Sequence, residues 1–278
     1  MKYPIGDSHV HSDHSVDAKG TLREYCLKAF ELGLFEITFT NHYELMPSRK
    51  DRMGHFMIGG ERLPAGPDPV KRYIDEVRAI GEEFFPSGLK VNVGLEIGWD
   101  IRLYDRLVKE LKDFQLDFVI GSVHDIDDEP ILERPYGPEF FKSKPIEAWI
   151  GKYFNKVSEI ADSQLFNVIG HFDVYKRYGR PVYGESLRDA HKPFLPVVFE
   201  KMIANDLALE INTSGIRHGL GEYYPSIDIL NEARRAGVMI SSLGSDAHSP
   251  EYLALDFEAA LPLIPELLPC GLEEGYDL

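Results

Sequence analysis

The stretch TLREYCLKAFELGLFEITFTNH, residues 21–42, carries the pattern on which the fold turns. Thr21-Leu22-Arg23-Glu24 reads as a capping box, because the Thr hydroxyl and the Glu carboxylate can each accept a backbone N–H that the first helical turn leaves unpaired. Behind it, Leu22, Tyr25, Cys26, Ala29 and Phe30 recur on one apolar face, and Gly33 stands where a helix closes on a left-handed residue. Phe35–Thr40 then reads as a strand, and Asn41-His42 follows at its carboxyl end. A helix thus hands over to a strand through the short turn Gly33-Leu34, and a residue able to bind metal waits at the strand's far end.

This unit repeats along the chain. Short β-branched or apolar runs predict seven strands: Tyr3–Asp7, Phe35–Thr40, Leu89–Ile97, Asp117–Val123, Phe166–Gly170, Leu207–Asn212 and Val238–Leu243. Helical patterns lie between them, such as Val70, Tyr73, Ile74, Val77 and Phe84 after Asp68-Pro69, or Leu103, Leu107, Leu111 and Phe114. Regular alternation of strand and helix implies an α/β fold on a parallel sheet, open or closed. The connections are unequal. Helix-to-strand turns such as Ala236-Gly237 are short, whereas the strand-to-helix segments 43–67, 125–145 and 172–192 run to about twenty residues each, a length that in compact domains usually serves function. They all fall at the strand carboxyl ends, where α/β folds build active sites. With no internal repeat and no linker-like tract, residues 1–278 are expected to form a single domain.

Bulk properties narrow the function. The chain has 278 residues, 44% of them hydrophobic, enough for a full core, and a formal net charge of −16 that repels long nucleic acid unless bound cations reverse the local field. No amino-terminal apolar run and no long uncharged apolar stretch is present, so no signal peptide or membrane span is expected and the default location is cytoplasmic. Cys26 and Cys270 are read as incidental thiols.

The chemistry gathers at the strand ends. Asp7-Ser8-His9-Val10-His11, Asn41-His42, Glu96, His124, His171, Asn212 and Asp246-Ala247-His248 hold six of the ten histidines. Alternate residues of an extended segment point the same way, so His9 and His11 can enter one site together, as can Asp246 and His248. Neutral imidazoles with ionised carboxylates are a ligand set for divalent zinc, manganese or iron.

The motifs carrying these residues are Asp7-Ser8-His9-Val10-His11-Ser12 with Asp17, Thr40-Asn41-His42, Gly94-Leu95-Glu96, Gly121-Ser122-Val123-His124, Gly170-His171-Phe172-Asp173, Asn212-Thr213-Ser214-Gly215 and Gly244-Ser245-Asp246-Ala247-His248-Ser249. Together they resemble the polymerase and histidinol phosphatase (PHP) family, and within it the histidinol-phosphate phosphatases. The resemblance implies a distorted (β/α)7 barrel with two to three divalent metal ions. His9, His11, Glu96 and Asp246 would hold one ion; the bridging Glu96 with His124 and His171 would hold a second; Asp17, His42 and His248 would hold a third. Glu96, His124, His171 and Asp246 would then surround the reacting centre, where a water shared by two cations attacks a small phosphorylated substrate. The implied reaction is hydrolysis of L-histidinol phosphate in histidine biosynthesis. Two departures stand out: Asn41 occupies a position where many relatives carry Asp, and segment 43–67 does not match the corresponding loop of the histidinol-phosphate phosphatases.

Other readings share parts of this pattern. The same metal core serves relatives that act on other small phosphoesters or nucleotides. Amidohydrolase-type deaminases also begin with His-x-His and carry a late Asp, but they take the bridging group from a later strand than the one bearing Glu96. For substrate binding the candidates are Arg177, just after the His171 strand end, and Arg217 with His218 after Asn212-Thr213-Ser214-Gly215, since a guanidinium can grip phosphate with two donors. His14 is read as an exposed polar residue of the first loop, His55 and His191 as loop or surface residues, and Phe56, Phe140, Phe141 and Tyr183 as anchors of the long loops.

Overall fold

In the computed structural model, which describes residues 6–264, the apolar runs line up as neighbouring parallel strands. In chain order the strands are β1 (Gly6–Val10), β2 (Glu36–Tyr43), β3 (His55–Ile58), β4 (Glu61–Pro64), β5 (Lys90–Gly98), β6 (Phe118–Ser122), β7 (Asp125–Ile126), β8 (Glu129–Pro130), β9 (Val168–Ile169), β10 (Ala208–Asn212) and β11 (Ile240–Gly244). Seven of them form one sheet in the order β1-β2-β5-β6-β9-β10-β11, parallel throughout. Its two edges meet just past their carboxyl ends, where the His11 N–H donates to the Ala247 carbonyl (2.9 Å) and the Asp246 N–H donates to the His9 carbonyl (2.8 Å). That closure makes the sheet a (β/α)7 barrel with its ends joined beside His9, His11 and Asp246.

Helices α1 (Leu22–Leu32), α2 (Pro47–Met53), α3 (Pro67–Phe84), α4 (Tyr104–Phe114), α5 (Tyr136–Ser143), α6 (Ile150–Ser163), α7 (Lys176–Tyr183), α8 (Leu195–Ala204), α9 (Ser214–Arg217) and α10 (Ile227–Ala236) follow in order. The capping box at Thr21 forms, Gly33 closes α1 with φ 75°, and Cys26 is buried on its inner face. Cys270 lies outside the described residues. Tyr73 on α3 reaches into the barrel wall, where its hydroxyl donates to the Phe39 carbonyl (2.9 Å) on β2 and approaches the Gly94 carbonyl (3.2 Å) on β5. No helix among the described residues is long and apolar enough to cross a membrane.

The first strand runs on to Val10, past the expected end at Asp7, and residues 3–5 of the expected strand lie outside the described residues. Its polar residues are therefore inside the strand, and a register shift between Asp7 and Val10 against β2 re-aims the side chains, as bulges do next to active sites. The long segments carry secondary structure of their own: 43–67 holds α2 and the β3–β4 hairpin, 125–145 holds the β7–β8 hairpin and α5, and 172–192 holds α7. Their aromatic anchors are buried or half-buried: Phe140, Phe141, Trp149 and Tyr183 pack on one another, and the Tyr183 hydroxyl lies 2.6 Å from the carbonyls of Phe141 and Lys144.

Tyr73→Phe removes the hydroxyl that ties α3 to two barrel strands and leaves buried carbonyls less well paired. Unfolding in urea should show a loss of about 1–2 kcal/mol with metal content unchanged; an unaltered midpoint would mean that water replaces the hydroxyl.

Candidate metal centre

Six strands aim side chains into the mouth of the barrel. His9 lies on β1 with His11 just beyond it, His42 on β2 and Glu96 on β5, while His124 and His171 follow β6 and β9, and Asp246 and His248 follow β11. Three clusters result. In the first, His9 Nε2 and His11 Nε2 each lie 3.6 Å from Glu96 Oε2, and 3.7 and 3.3 Å from Asp246 Oδ1. In the second, His124 Nε2 and His171 Nε2 lie 3.0 and 2.8 Å from Glu96 Oε1. Glu96 thus turns one oxygen to each cluster, and His42 Nδ1 also approaches Oε2 at 2.8 Å. The outer cluster sets Asp17 Oδ2 at 3.6 Å from His42 Nε2 and 3.3 Å from His248 Nε2.

Electrostatics explain why such a cluster needs cations. Burial alone would push the Glu96 and Asp246 carboxyls up, yet the surrounding imidazoles hold both well below the usual carboxylate range. His11 is driven well below its ordinary value, first by burial and then by His42 and His248, whose rings lie 4.2 Å from its own. His9 and His42 move up despite burial, because Glu210, Asp246 and Glu96 surround the first and Asp17 and Glu96 the second. The carboxylates demand positive charge, which divalent ions would supply in place of imidazole protons. The donor atoms fit such ions: His9 Nε2, both His11 ring nitrogens, His42 Nδ1 and His171 Nδ1 are buried with no hydrogen-bond partner. His9-His11-Glu96, Glu96-His124-His171, His9-His171-Asp246 and His11-His42-His248 each bring ligand atoms within 4.8 Å of one another.

A second layer holds these rings. Glu210 on β10 accepts from His9 Nδ1 (3.0 Å), from the His171 backbone N–H (2.7 Å) and from Asn212 Nδ2 (2.9 Å), while Glu44 pairs with His124 Nδ1 through a very short contact. Carboxylates on the outer nitrogens fix the tautomer and direct the other nitrogen inward. Gly244 is required here, because a Cβ at that position would meet His9 and come within 2.8 Å of Glu210 Oε2. His171 and Asp246 take positive φ values of 25° and 53°, backbone conformations costing about 1–3 kcal/mol each that cluster at functional sites.

The remaining candidates divide. Arg177 borders the narrow cavity of about 90 Å³, and its side chain makes no hydrogen bond or ion pair among the described residues, only a contact over the face of Tyr178. His218 is half-buried against the Tyr224 hydroxyl (3.2 Å), and burial followed by Arg177 lowers it to about 3, so it is neutral at ordinary pH. Arg217 donates to the carbonyls of Ser245 (3.2 Å) and Asp246 (2.9 Å), anchoring the segment that carries Asp246, and neither Arg217 nor His218 is among the residues lining the cavity. Asn41 and Asn212 serve the framework, the first bonded to Ser12 and the second to Glu210.

His14 and His191 are buried and not exposed; His14 bonds Ser12 and Glu76, and both His191 ring nitrogens lack a partner. His55 is half-buried beside Arg62. Four residues had no part in the sequence reading: Glu44, Arg49, Glu133 and Glu210. Only Glu210 left a local sign, as a lone charge in the apolar strand Ala208-Leu209-Glu210-Ile211-Asn212.

Comparison with known proteins gives a consistent picture. A family model described as PHP domain matches residues 7–214. A protein of Deinococcus radiodurans named "Probable histidinol-phosphatase" is 32% identical over 269 residues, 94% of this chain and 93% of the relative. The histidinol-phosphatase of Lactococcus lactis is 29% identical over 93% of this chain and 89% of its own. A crystal structure of histidinol phosphate phosphatase from Lactococcus lactis, complexed with zinc, L-histidinol and phosphate, aligns with a TM-score of 0.75 at 25% identity, over 95% of this chain and 93% of that one.

Glu210→Gln keeps the shape of the second layer but removes the charge facing His9 Nδ1. The chelator concentration that strips half of the bound metal should fall by about tenfold or more. Equal resistance of variant and parent to chelation would remove Glu210 from the support of the centre.

Proposed function

Since the chain belongs to the PHP domain family, we propose that it hydrolyses L-histidinol phosphate to L-histidinol and phosphate, a step of histidine biosynthesis. One observation carries the reading: Glu96 divides its two oxygens between imidazole clusters in a cavity bordered by Arg177, within a chain whose Lactococcus lactis relative was crystallised with zinc, L-histidinol and phosphate. In this proposal the centre holds two to three divalent ions, zinc, manganese or iron. His9, His11, Glu96 and Asp246 would hold one, Glu96, His124 and His171 another, and Asp17, His42 and His248 the third. Such ions activate water near neutral pH and offset charge on the phosphoryl oxygens.

The chain's own groups do the rest. Glu210 and Glu44 keep His9 and His124 protonated on their outer nitrogens, so that the inner lone pairs face the cavity. Ser122 donates to Glu96 Oε1 (2.7 Å), and Ser214 donates to Asp246 Oδ2 (3.3 Å), restraining the carboxylates that would hold the ions. Arg177, whose side chain has no ion-pair partner among the described residues, would take phosphate oxygens through parallel N–H bonds. At the rim of the site, neutral His218 would exchange a hydrogen bond with substrate without adding charge, and Arg217 would hold the Asp246 segment in place.

Phosphate release from a panel of phosphomonoesters, after reconstitution with manganese, zinc or iron, tests the reaction. Histidinol phosphate should exceed p-nitrophenyl phosphate and nucleotides in kcat/KM by about 100-fold or more, since a site built for its polar groups leaves them unpaired with other substrates. Comparable turnover of all three would sink the biosynthetic reading and leave the phosphoesterase. Elemental analysis should find Glu96→Ala short of two ions and His42→Ala short mainly of the outer one, whereas equal small losses would contradict the bridging role. Arg177→Ala should lower kcat/KM by about tenfold or more with metal retained.

A further inference from the structure

Arg49, on α2 in the segment that departs from the family pattern, is almost completely buried yet borders the same cavity as Glu96, His124, His171 and Arg177. Its Nε lies 3.4 Å from Glu44 Oε2 and its Nη1 lies 3.0 Å from Glu133 Oε1. Neither contact has hydrogen-bond geometry, and both nitrogens are buried without a hydrogen-bond partner, as are the two carboxylate oxygens they face. A guanidinium carries five N–H donors in a planar fork, and leaving them undirected in the interior is costly unless something else is to be bound.

The surroundings are arranged to keep this cation pointed and charged. Glu44 joins it to His124, so the guanidinium sits directly behind one metal-binding ring. On the other side Glu133 is shared with Arg52 Nε at 2.7 Å, which offsets the acidic charge that would otherwise face an entering anion. Glu96 and Asp17 line the same cavity as Arg49, so its charge faces the clusters that hold them. Met53 and Leu132 complete that wall with apolar surface, excluding water and strengthening a charge-assisted bond.

We propose that Arg49 is a second phosphate-binding residue, which together with Arg177 donates to the phosphoryl oxygens of the substrate and is held for that purpose between Glu44 and Glu133. This rests on the phosphatase reading for the identity of the substrate, but its probe is inorganic phosphate. Developing negative charge on the phosphoryl oxygens in the displacement would meet a fixed guanidinium that needs no reorganisation.

The test compares metal-loaded wild type with Arg49→Gln for phosphate binding by calorimetry, metal content by elemental analysis, and kcat and KM. Expected are a phosphate Kd raised by about 10- to 100-fold and a similar loss in kcat/KM, with metal content unchanged. A phosphate Kd within twofold of wild type, with metal retained, would overturn the proposal and leave Arg49 a structural ion pair. Should the variant fail to fold, a crystal structure of the wild-type protein loaded with metal and inorganic phosphate decides: an Arg49 nitrogen within about 2.7–3.2 Å of a phosphate oxygen is expected, and a phosphate with no oxygen near that guanidinium overturns it. Weakened phosphate binding in a protein that ignores histidinol phosphate would sink the substrate reading alone. Undiminished phosphate affinity in an active histidinol phosphatase would sink only the role of Arg49.

Discussion

An ionised carboxylate buried at the mouth of a barrel is the constraint around which this structure is organised. Glu96 sits on the third strand of the barrel sheet with almost no solvent contact, where an uncompensated charge would cost several kcal/mol. Imidazoles from four other strands answer it, three at one oxygen and two at the other. Because these rings come from segments spread over the chain, the barrel must close before the charge is neutralised, and closure occurs beside the cluster, between His9, His11 and residues 246–247. Fold and site therefore stabilise one another.

The second layer transmits that requirement outward. Glu210 supports His9 and the His171 backbone at once, so the first and fifth barrel strands are oriented through a side chain on the sixth. Gly244 leaves the room this needs, and Gly98 does the same for Glu44, since a Cβ there would collide with its carboxylate. These glycines serve close approach more than turn geometry, as neither has a positive φ. The cost of the arrangement is visible in the left-handed backbone at His171 and Asp246, tolerated because the neighbours over-determine both positions.

Around this core the three elaborated segments act as walls. The 43–67 segment brings Arg49 and Met53, the 125–145 segment brings Leu132 and Glu133, and the 172–192 segment brings Arg177. Two of them bring a cation to the cavity, and the 125–145 and 172–192 segments are tied together by packing of Phe141 and Tyr183 on Trp149. An acidic protein can in this way keep a locally cationic wall above an acidic metal-binding floor, which suits a small dianion better than a long polyanion.

The alternation of strand and helix, the chain position of most barrel strands, and the gathering of His, Asp and Glu at their carboxyl ends were legible in the sequence because each depends on neighbours a few residues apart. Capping at Thr21, the buried face of α1 from Leu22 to Ala29 and the His9-x-His11 pair are all of this local kind, whereas Phe30, expected on that face, is exposed. The tertiary structure alone decided the register shift in β1, the burial of His14 and His191, the use of Arg217 as a backbone anchor, and the partnership of Glu44, Arg49 and Glu133. Those facts rest on pairings with no periodic trace: Glu210 meets His9 across 201 positions of chain and His124 meets Glu44 across 80. Periodicity shows which face of an element is buried, but which charge meets which is set only when the barrel closes and brings distant strand ends within hydrogen-bonding reach.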